Sequence, residues 1–263
     1  ASGDWNGGLP STITPIQYYL KERANSIQME VYDKEGKLVQ KLAPTNRKGY
    51  NKVIWNQRSM PPKTARGGNQ IEQAGFLAPQ VFPGDYTVKV KVNGKEYSQV
   101  IKMQHDEANK DFTLQDRELQ YKTGQELFAM NERLAKLVDS INTSQAMLKK
   151  NIDSTKNKKT KALLQDYWNK LEELRLTLVP PVMKGTGDLK RLRSDISEVY
   201  SAVVGQEARP GNLQLQRTEV LKGEIVKAEQ KNEQLKLQFE KKVMEAIQKE
   251  MPKRPEMNKP VKN

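Results

Sequence analysis

Pro83-Gly84-Asp85-Tyr86-Thr87-Val88-Lys89-Val90-Lys91-Val92-Asn93-Gly94-Lys95 is the stretch that decides the fold. Tyr86, Val88, Val90 and Val92 alternate with Asp85, Thr87, Lys89 and Lys91. A period of two describes a strand with one face buried and one wet. Asn93-Gly94 follows at once, and that dipeptide supplies the positive φ angles of a tight hairpin turn. Tyr97, Gln99, Ile101 and Met103 then alternate on the return strand.

Outward from this hairpin the same period recurs. Ile16, Tyr18 and Leu20 mark one strand, and Ile27, Met29 and Val31 a second. Leu38–Leu42 is a third, ended by Pro44, and residues 51–57 a fourth with Val53 and Trp55 on one face. Asp33-Lys34-Glu35-Gly36-Lys37 between them is a loop with glycine at a natural positive-φ place. Short strands with turn signals between them predict an immunoglobulin-like or fibronectin-like β-sandwich over residues 15–105. Residues 1–14, with Trp5-Asn6-Gly7-Gly8-Leu9-Pro10, form an irregular lead-in, and Ala1-Ser2-Gly3-Asp4 reads as a processed or truncated start. Residues 58–82 break the pattern. They are rich in Pro, Gly, Gln and Ala, and an unstructured connection of roughly 25 residues is usually functional or disordered.

From His105 the period changes. Thr113-Leu114-Gln115-Asp116 resembles a capping box. Leu127, Met130, Leu134, Leu137, Ile141 and Leu148 recur at spacings of three and four, with a polar gap at Ser144, which predicts a heptad seam. A basic loop at 153–161 precedes a second helix over 161–178, with Leu164, Trp168, Leu171, Leu174 and Leu178 on one side. Pro180-Pro181 stops it. A third helix is expected over 188–204 through Leu189, Leu192, Ile196, Val199 and Val203. A fourth follows over 213–250 through Leu221, Ile225, Ala228, Leu235 and Phe239. Residues 106–251 therefore read as an antiparallel helical bundle or coiled-coil hairpin, and 252–263 as a basic tail. The fold class is multidomain, β followed by α.

Composition narrows the chemistry. The 263 residues carry 45 Lys plus Arg against 32 Asp plus Glu, a formal charge of +13. Such a surplus favours anionic partners, but the lysines are interleaved with acids along the whole chain, as on a solvated surface. No run approaches the ~18 apolar residues of a membrane span. The absence of cysteine excludes disulfides, thiol catalysis and thiolate metal sites, and is compatible with an extracytoplasmic location.

His105 is the only histidine, which leaves a Ser-His-Asp relay or a multi-histidine metal site little to build from. Gly67-Gly68 and Gly185-Thr186-Gly187 lack the phosphate-loop and dinucleotide fingerprints. Glu172-Glu173 lies on a charged helix, and no acid pair can be argued to be a glycosidase couple. Catalytic, cofactor and metal residues are accordingly none, and the chain is read as no enzyme. The candidate interaction residues are Arg58, Arg66, Phe76 and Phe82 in the long loop, Lys156, Lys158 and Lys159 at one helix tip, and Arg209 at another. The lysine clusters lack interleaved aromatics or a reading helix, which argues against nucleic acid and leaves loose, salt-sensitive attraction to anionic surfaces.

Several stretches carry a resemblance. They are Ile16-Gln17-Tyr18-Tyr19-Leu20, Val31-Tyr32-Asp33-Lys34-Glu35-Gly36, Gly49-Tyr50-Asn51-Lys52-Val53-Ile54-Trp55-Asn56-Gln57-Arg58 and Ala78-Pro79-Gln80-Val81-Phe82-Pro83-Gly84-Asp85-Tyr86-Thr87-Val88. Over residues 16–104 they resemble the FlgD-type immunoglobulin-like domain. The order of elements is similar to the C-terminal region of large bacterial sortilin-like, BNR-repeat proteins often labelled glycosyl hydrolase. That resemblance implies any chemistry would reside on an upstream propeller that this sequence lacks. The expected function is a non-catalytic, extracytoplasmic (periplasmic, cell-surface or secreted) interaction module that binds a protein partner in an envelope or secreted assembly. Deleting loop 58–82 is expected to abolish partner capture while the fold survives. The alternatives are an accessory domain of a propeller hydrolase acting on glycans or peptides, and an anionic-polymer binder using the lysines.

Overall fold

The structure, a computed structural model, describes residues 13–68, 73–107, 109–181 and 190–250. Six strands come first: β1 (Thr14–Leu20), β2 (Ile27–Tyr32), β3 (Leu38–Leu42), β4 (Gly49–Trp55), β5 (Gly84–Val92) and β6 (Lys95–Met103). The helices α1 (Leu114–Ser154), α2 (Lys158–Leu178), α3 (Leu192–Val204) and α4 (Asn212–Glu250) follow. The expected third-helix start at Asp188 and Leu189, the motif Gly185-Thr186-Gly187, the lead-in through residue 12 and the tail from Met251 lie outside the described residues.

All strand pairing is antiparallel, in a two-stranded sheet β1-β4 and a four-stranded sheet β3-β2-β5-β6. The alternation read from the sequence fixes which side chains turn inward. Met29, Val31 and Val39 from one sheet meet Val53 and Trp55 from the other, with Val81, Tyr86 and Val88 completing one buried cluster. Trp55 is fully buried, its ring 5.5 Å from Tyr86 at 63°, and its indole N–H donates to Arg58 O at 3.0 Å. An indole buried in an apolar core needs such an acceptor, and the chain turn just after β4 provides it.

Asn93 (φ 47°) and Gly94 (φ 87°) both take the left-handed backbone that the hairpin turn requires. The Asn93 side chain does more than turn the chain. Its Oδ1 accepts from Asn25 N (2.9 Å) and Ser26 N (3.1 Å), tying the hairpin tip to the loop before β2. The return strand departs from expectation. Residues 95–100 are all exposed, and only Ile101 and Met103 of the alternating set are half-buried. Alternation says which face a residue points to, not whether anything covers that face.

The helices start and stop for local reasons. At the head of α1, Thr113 Oγ1 accepts from Asp116 N (3.2 Å) while Asp116 Oδ2 accepts from Thr113 N (3.2 Å) and Oγ1 (2.7 Å), a reciprocal capping box. α2 begins at Lys158, earlier than expected, because Asn157 caps it by accepting from Lys159 N (2.9 Å) and Thr160 N (3.3 Å). The basic loop thus shrinks to Thr155-Lys156-Asn157. Along α2 the buried positions are Thr160, Leu164, Tyr167, Leu171, Leu174 and Leu178. Trp168, expected in this stripe, is only half-buried; its neighbour Tyr167 takes the core place and stacks on Phe239 at 4.9 Å and 1°. In α1 the polar member of the seam is Gln145, not Ser144, and its Nε2 donates to Glu172 Oε2 at 2.8 Å.

By contact the chain forms two compact units. One takes in the described parts of Ala1–Thr64, Ile71–Glu132 and Ser194–Leu221, and the other those of Ala65–Gln70, Arg133–Arg193 and Lys222–Asn263. The first therefore holds both sheets, the start of α1, most of α3 and the start of α4. The second holds the rest of α1, α2 and the rest of α4, joined through Tyr167–Phe239 stacking and an ion pair of Arg133 with Glu229 at 2.6 Å.

Candidate interaction surface

In the first unit, the two ends of the segment between β4 and β5, 56–64 and 73–83, are anchored rather than free. They are joined to each other by Ser59 N to Pro79 O (3.0 Å), Val81 N to Gln57 O (2.8 Å) and an isolated bridge between Arg58 and Gln80. Irregular backbone buried in this way leaves carbonyls without ladder partners, and each must find a donor. Long polar side chains provide them. Arg58 Nη1 donates to Ala78 O (2.6 Å) and Val204 O (3.1 Å). Tyr200 donates its hydroxyl to Leu77 O (2.8 Å), and Arg117 Nη2 donates to Gln80 O (2.8 Å) and Val81 O (2.9 Å). Gln120 accepts from Arg117 Nη1 and donates to Val203 O at 3.0 Å. Ala74 and Ala78 are buried, and their small side chains let the α-helices approach the segment. At Gly124 of α1 a Cβ would come 3.0 Å from Val204, so that approach is close as well.

The electrostatics agree with a structural role. Burial lowers the pKa of Arg117, with the nearby Glu207 carboxylate working in the opposite direction. The Tyr200 hydroxyl is pushed far up by burial, and that of Tyr86, which donates to Phe82 O at 2.7 Å, to about 12 for the same reason. These groups hold main chain, and their protons stay in place at neutral pH.

The eight residues singled out from the sequence therefore separate. Arg58 is half-buried and held by the bonds to Ala78 O and Val204 O, and Phe82 is half-buried with its ring 5.4 Å from Tyr121. Arg209 is exposed but already paired with Asp116 Oδ1 at 2.8 Å. That carboxyl is held below its usual range, first by the Thr113 hydroxyl and then by Arg209. Phe76 is 73% exposed, and Arg66 is exposed in the second unit. Lys156, Lys158 and Lys159 are exposed around the α1–α2 turn. His105 is half-buried with its ring edge-on to Phe112 at 6.2 Å. Among the described residues no group of three or more His, Asp or Glu is placed to hold a metal ion, and no helix is long and apolar enough to cross a membrane.

Sequence reasoning missed Arg117, Gln120 and Tyr200. A signal for the first two exists. Arg117, Gln120, Gly124 and Leu127 continue the three-four spacing of the α1 seam backwards, so polar residues at seam positions marked buried polar duty. What stays open is the β1–β6 side of the first unit. A cleft of about 310 Å³ lies there, lined by Ile16, Tyr18, Val88, Val90, Tyr97 and Ile101. β6 borders it and has no neighbour on its outer side among the described residues.

No family model, curated protein or solved structure matches this chain. Function therefore rests on its own geometry.

Proposed function

We propose that the chain is a non-catalytic interaction module. In this reading the two sheets are an immunoglobulin-like sandwich of the FlgD type, and the helices an antiparallel bundle or coiled-coil hairpin. The whole is the C-terminal part of a larger extracytoplasmic protein of the sortilin-like, BNR-repeat kind. The Trp55-centred core drawn from both sheets supports the sandwich, and the even four-three spacing of buried residues along α2 supports coiled-coil packing.

One observation carries the functional reading. The buried or half-buried polar side chains that would be the first suspects for chemistry, Arg58 (half-buried), Arg117, Gln120 and Tyr200, all bind backbone carbonyls of the fold. Polar groups committed in this way build a rigid body and leave binding to its exterior. The described parts of loop 58–82 in the first unit, 58–64 and 73–82, belong to that body, so deletion of the loop is not the right test. The test is capture from envelope extracts of the source organism with wild type and with a Phe76→Ser variant, whose altered side chain is exposed. The expected result is an identified envelope protein retained by the first and lost by the second. Turnover of glycans or peptides by the purified chain would overturn the reading, as would equal retention by both forms.

A further inference from the structure

β6 ends its sheet, and the backbone pattern says what its outer edge offers. Val92 and Lys95 flank the two-residue Asn93-Gly94 turn, so they form a hydrogen-bonded pair, and the bonded pairs then alternate along the uninterrupted β5–β6 register. Lys95, Tyr97, Gln99, Ile101 and Met103 therefore direct their N–H and C=O groups to β5. Glu96, Ser98, Val100 and Lys102 direct theirs outward. The strand contains no proline and its register no bulge, devices that commonly blunt an exposed edge. Large apolar groups lie along it in the open, Tyr97 at 59% and Val100 at 56% exposure. Val100 O takes one long contact of 3.5 Å from its neighbour Gln99 Nε2, which a ladder bond would displace.

We propose that β6 pairs antiparallel with β6 of a second copy of this chain, about a two-fold axis at Gln99, joining two four-stranded sheets into one. The outward groups sit on even-numbered residues, so even must face even. Axes at Ser98, Gln99 and Val100 all satisfy that condition. Charge selects among them. Only the axis at Gln99 sets Glu96 opposite Lys102, and the two-fold repeats the pair at the other end. The axis at Ser98 would put Glu96 against Val100, and the axis at Val100 would put Ser98 against Lys102. The chosen register also sets Tyr97 opposite Ile101 on the cleft side, Ser98 opposite Val100 on the other, and the two Gln99 amides together at the axis. Glu96 has only an exposed partner at present, Lys89 at 3.5 Å, so its carboxylate is free to take a second cation. A foreign strand could bond the edge backbone but would match Glu96 and Lys102 only by repeating the same charge spacing, whereas a second copy carries it already. The proposal rests on this edge alone and not on the functional reading above.

The test is sedimentation equilibrium on the full chain. Wild type should show a monomer–dimer equilibrium. Glu96→Lys and Lys102→Glu should each weaken it roughly tenfold or more, since like charges then face each other at both ends. An equimolar mixture of the two single variants should associate as a heterodimer. One variant then carries lysine at both positions and the other glutamate at both, so opposite charges meet at each end. The double variant should self-associate as wild type does. Ser98→Pro should abolish pairing while leaving the β5–β6 ladder intact, because the N–H it removes points outward. Thermal unfolding and circular dichroism on each variant separate loss of pairing from loss of fold. A wild type that is monomeric at every concentration overturns the proposal. So does a dimer indifferent to Ser98→Pro and to both reversals, or single variants that fail to associate on mixing.

Discussion

Arg117→Met isolates how much the first unit depends on its helix-to-loop hydrogen bonds. The wild-type side chain is 7% exposed, and its Nη2 serves Gln80 O and Val81 O at 2.8 and 2.9 Å. Methionine fills much of the same volume and donates nothing. Two buried carbonyls then lose their donor, at about 1–3 kcal/mol each. Part of that loss is offset because a desolvated cation is also removed, and burial already disfavours the charge there. A net destabilisation of about 3 kcal/mol remains, or roughly 6–12 °C in Tm for a body of this size. Urea unfolding followed by tryptophan fluorescence reads it, since Trp55 sits in the same unit. Arg133→Met is the control. Its ion pair with Glu229 has both side chains 37% exposed, so solvent screens it and about 0.2–1 kcal/mol is expected. Equal shifts for the two variants, or less than ~0.5 kcal/mol for Arg117→Met, would refute the idea that the loop is held by these bonds.

Three other outcomes are expected. The Tyr86 and Tyr167 hydroxyls are pushed up to about 12 from an ordinary value of 10.0, both by burial. A raised pKa in the folded state means the unfolded chain releases its proton first, so stability holds below pH 10 and falls as pH rises through 12. Tyrosinate absorbance should show these two rings ionising together with unfolding, and independent early titration would contradict their burial. Asn93→Ala should cost about 1–2 kcal/mol in thermal unfolding, since alanine tolerates positive φ poorly and cannot accept from Asn25 and Ser26; an unchanged melting curve would count against that account. Asn232 sits 3% exposed between Ala228 and Leu235, and its Oδ1 has no hydrogen-bond partner among the described residues. Asn232→Leu should therefore raise stability by about 1–2 kcal/mol in urea unfolding, and a loss would reveal that the amide is in use.

Where sequence reading succeeded, the information was local. The hairpin, the inward faces of β4 and β5, and the capping box at Thr113 each depend on residues a few positions apart. Where it failed, spacing was ambiguous. Residues 167 and 168 both lie three or four from Leu164 and Leu171, and 144 and 145 both lie three or four from Ile141 and Leu148. Periodicity cannot choose between such neighbours, and the packing of Tyr167 on Phe239 does. Loop 58–82 was illegible for another reason. Its donors lie in helices far along the chain, and an arginine or glutamine on a helix looks like surface until a carbonyl is found in front of it. Of the candidate surface residues, Phe76, Arg66, Arg209 and the lysines at the α1–α2 turn are exposed, whereas Arg58 is half-buried and committed to Ala78 O and Val204 O.

The bond from Arg58 to Val204 O joins residues 146 positions apart. During synthesis, Arg58 and the carbonyls at 77–81 leave the ribosome well before their partners in α1 and α3 exist. At ~5–20 residues per second the wait for Val204 is about 7–29 s. Through that interval the segment Ala74-Gly75-Phe76-Leu77-Ala78 lacks its α3 partners, Ser197 at Ala74 N and Tyr200 at Leu77 O. The first unit is completed by its last-made segment, Ser194–Leu221, so truncation anywhere before α3 removes the α3 contacts from a piece of chain made long before.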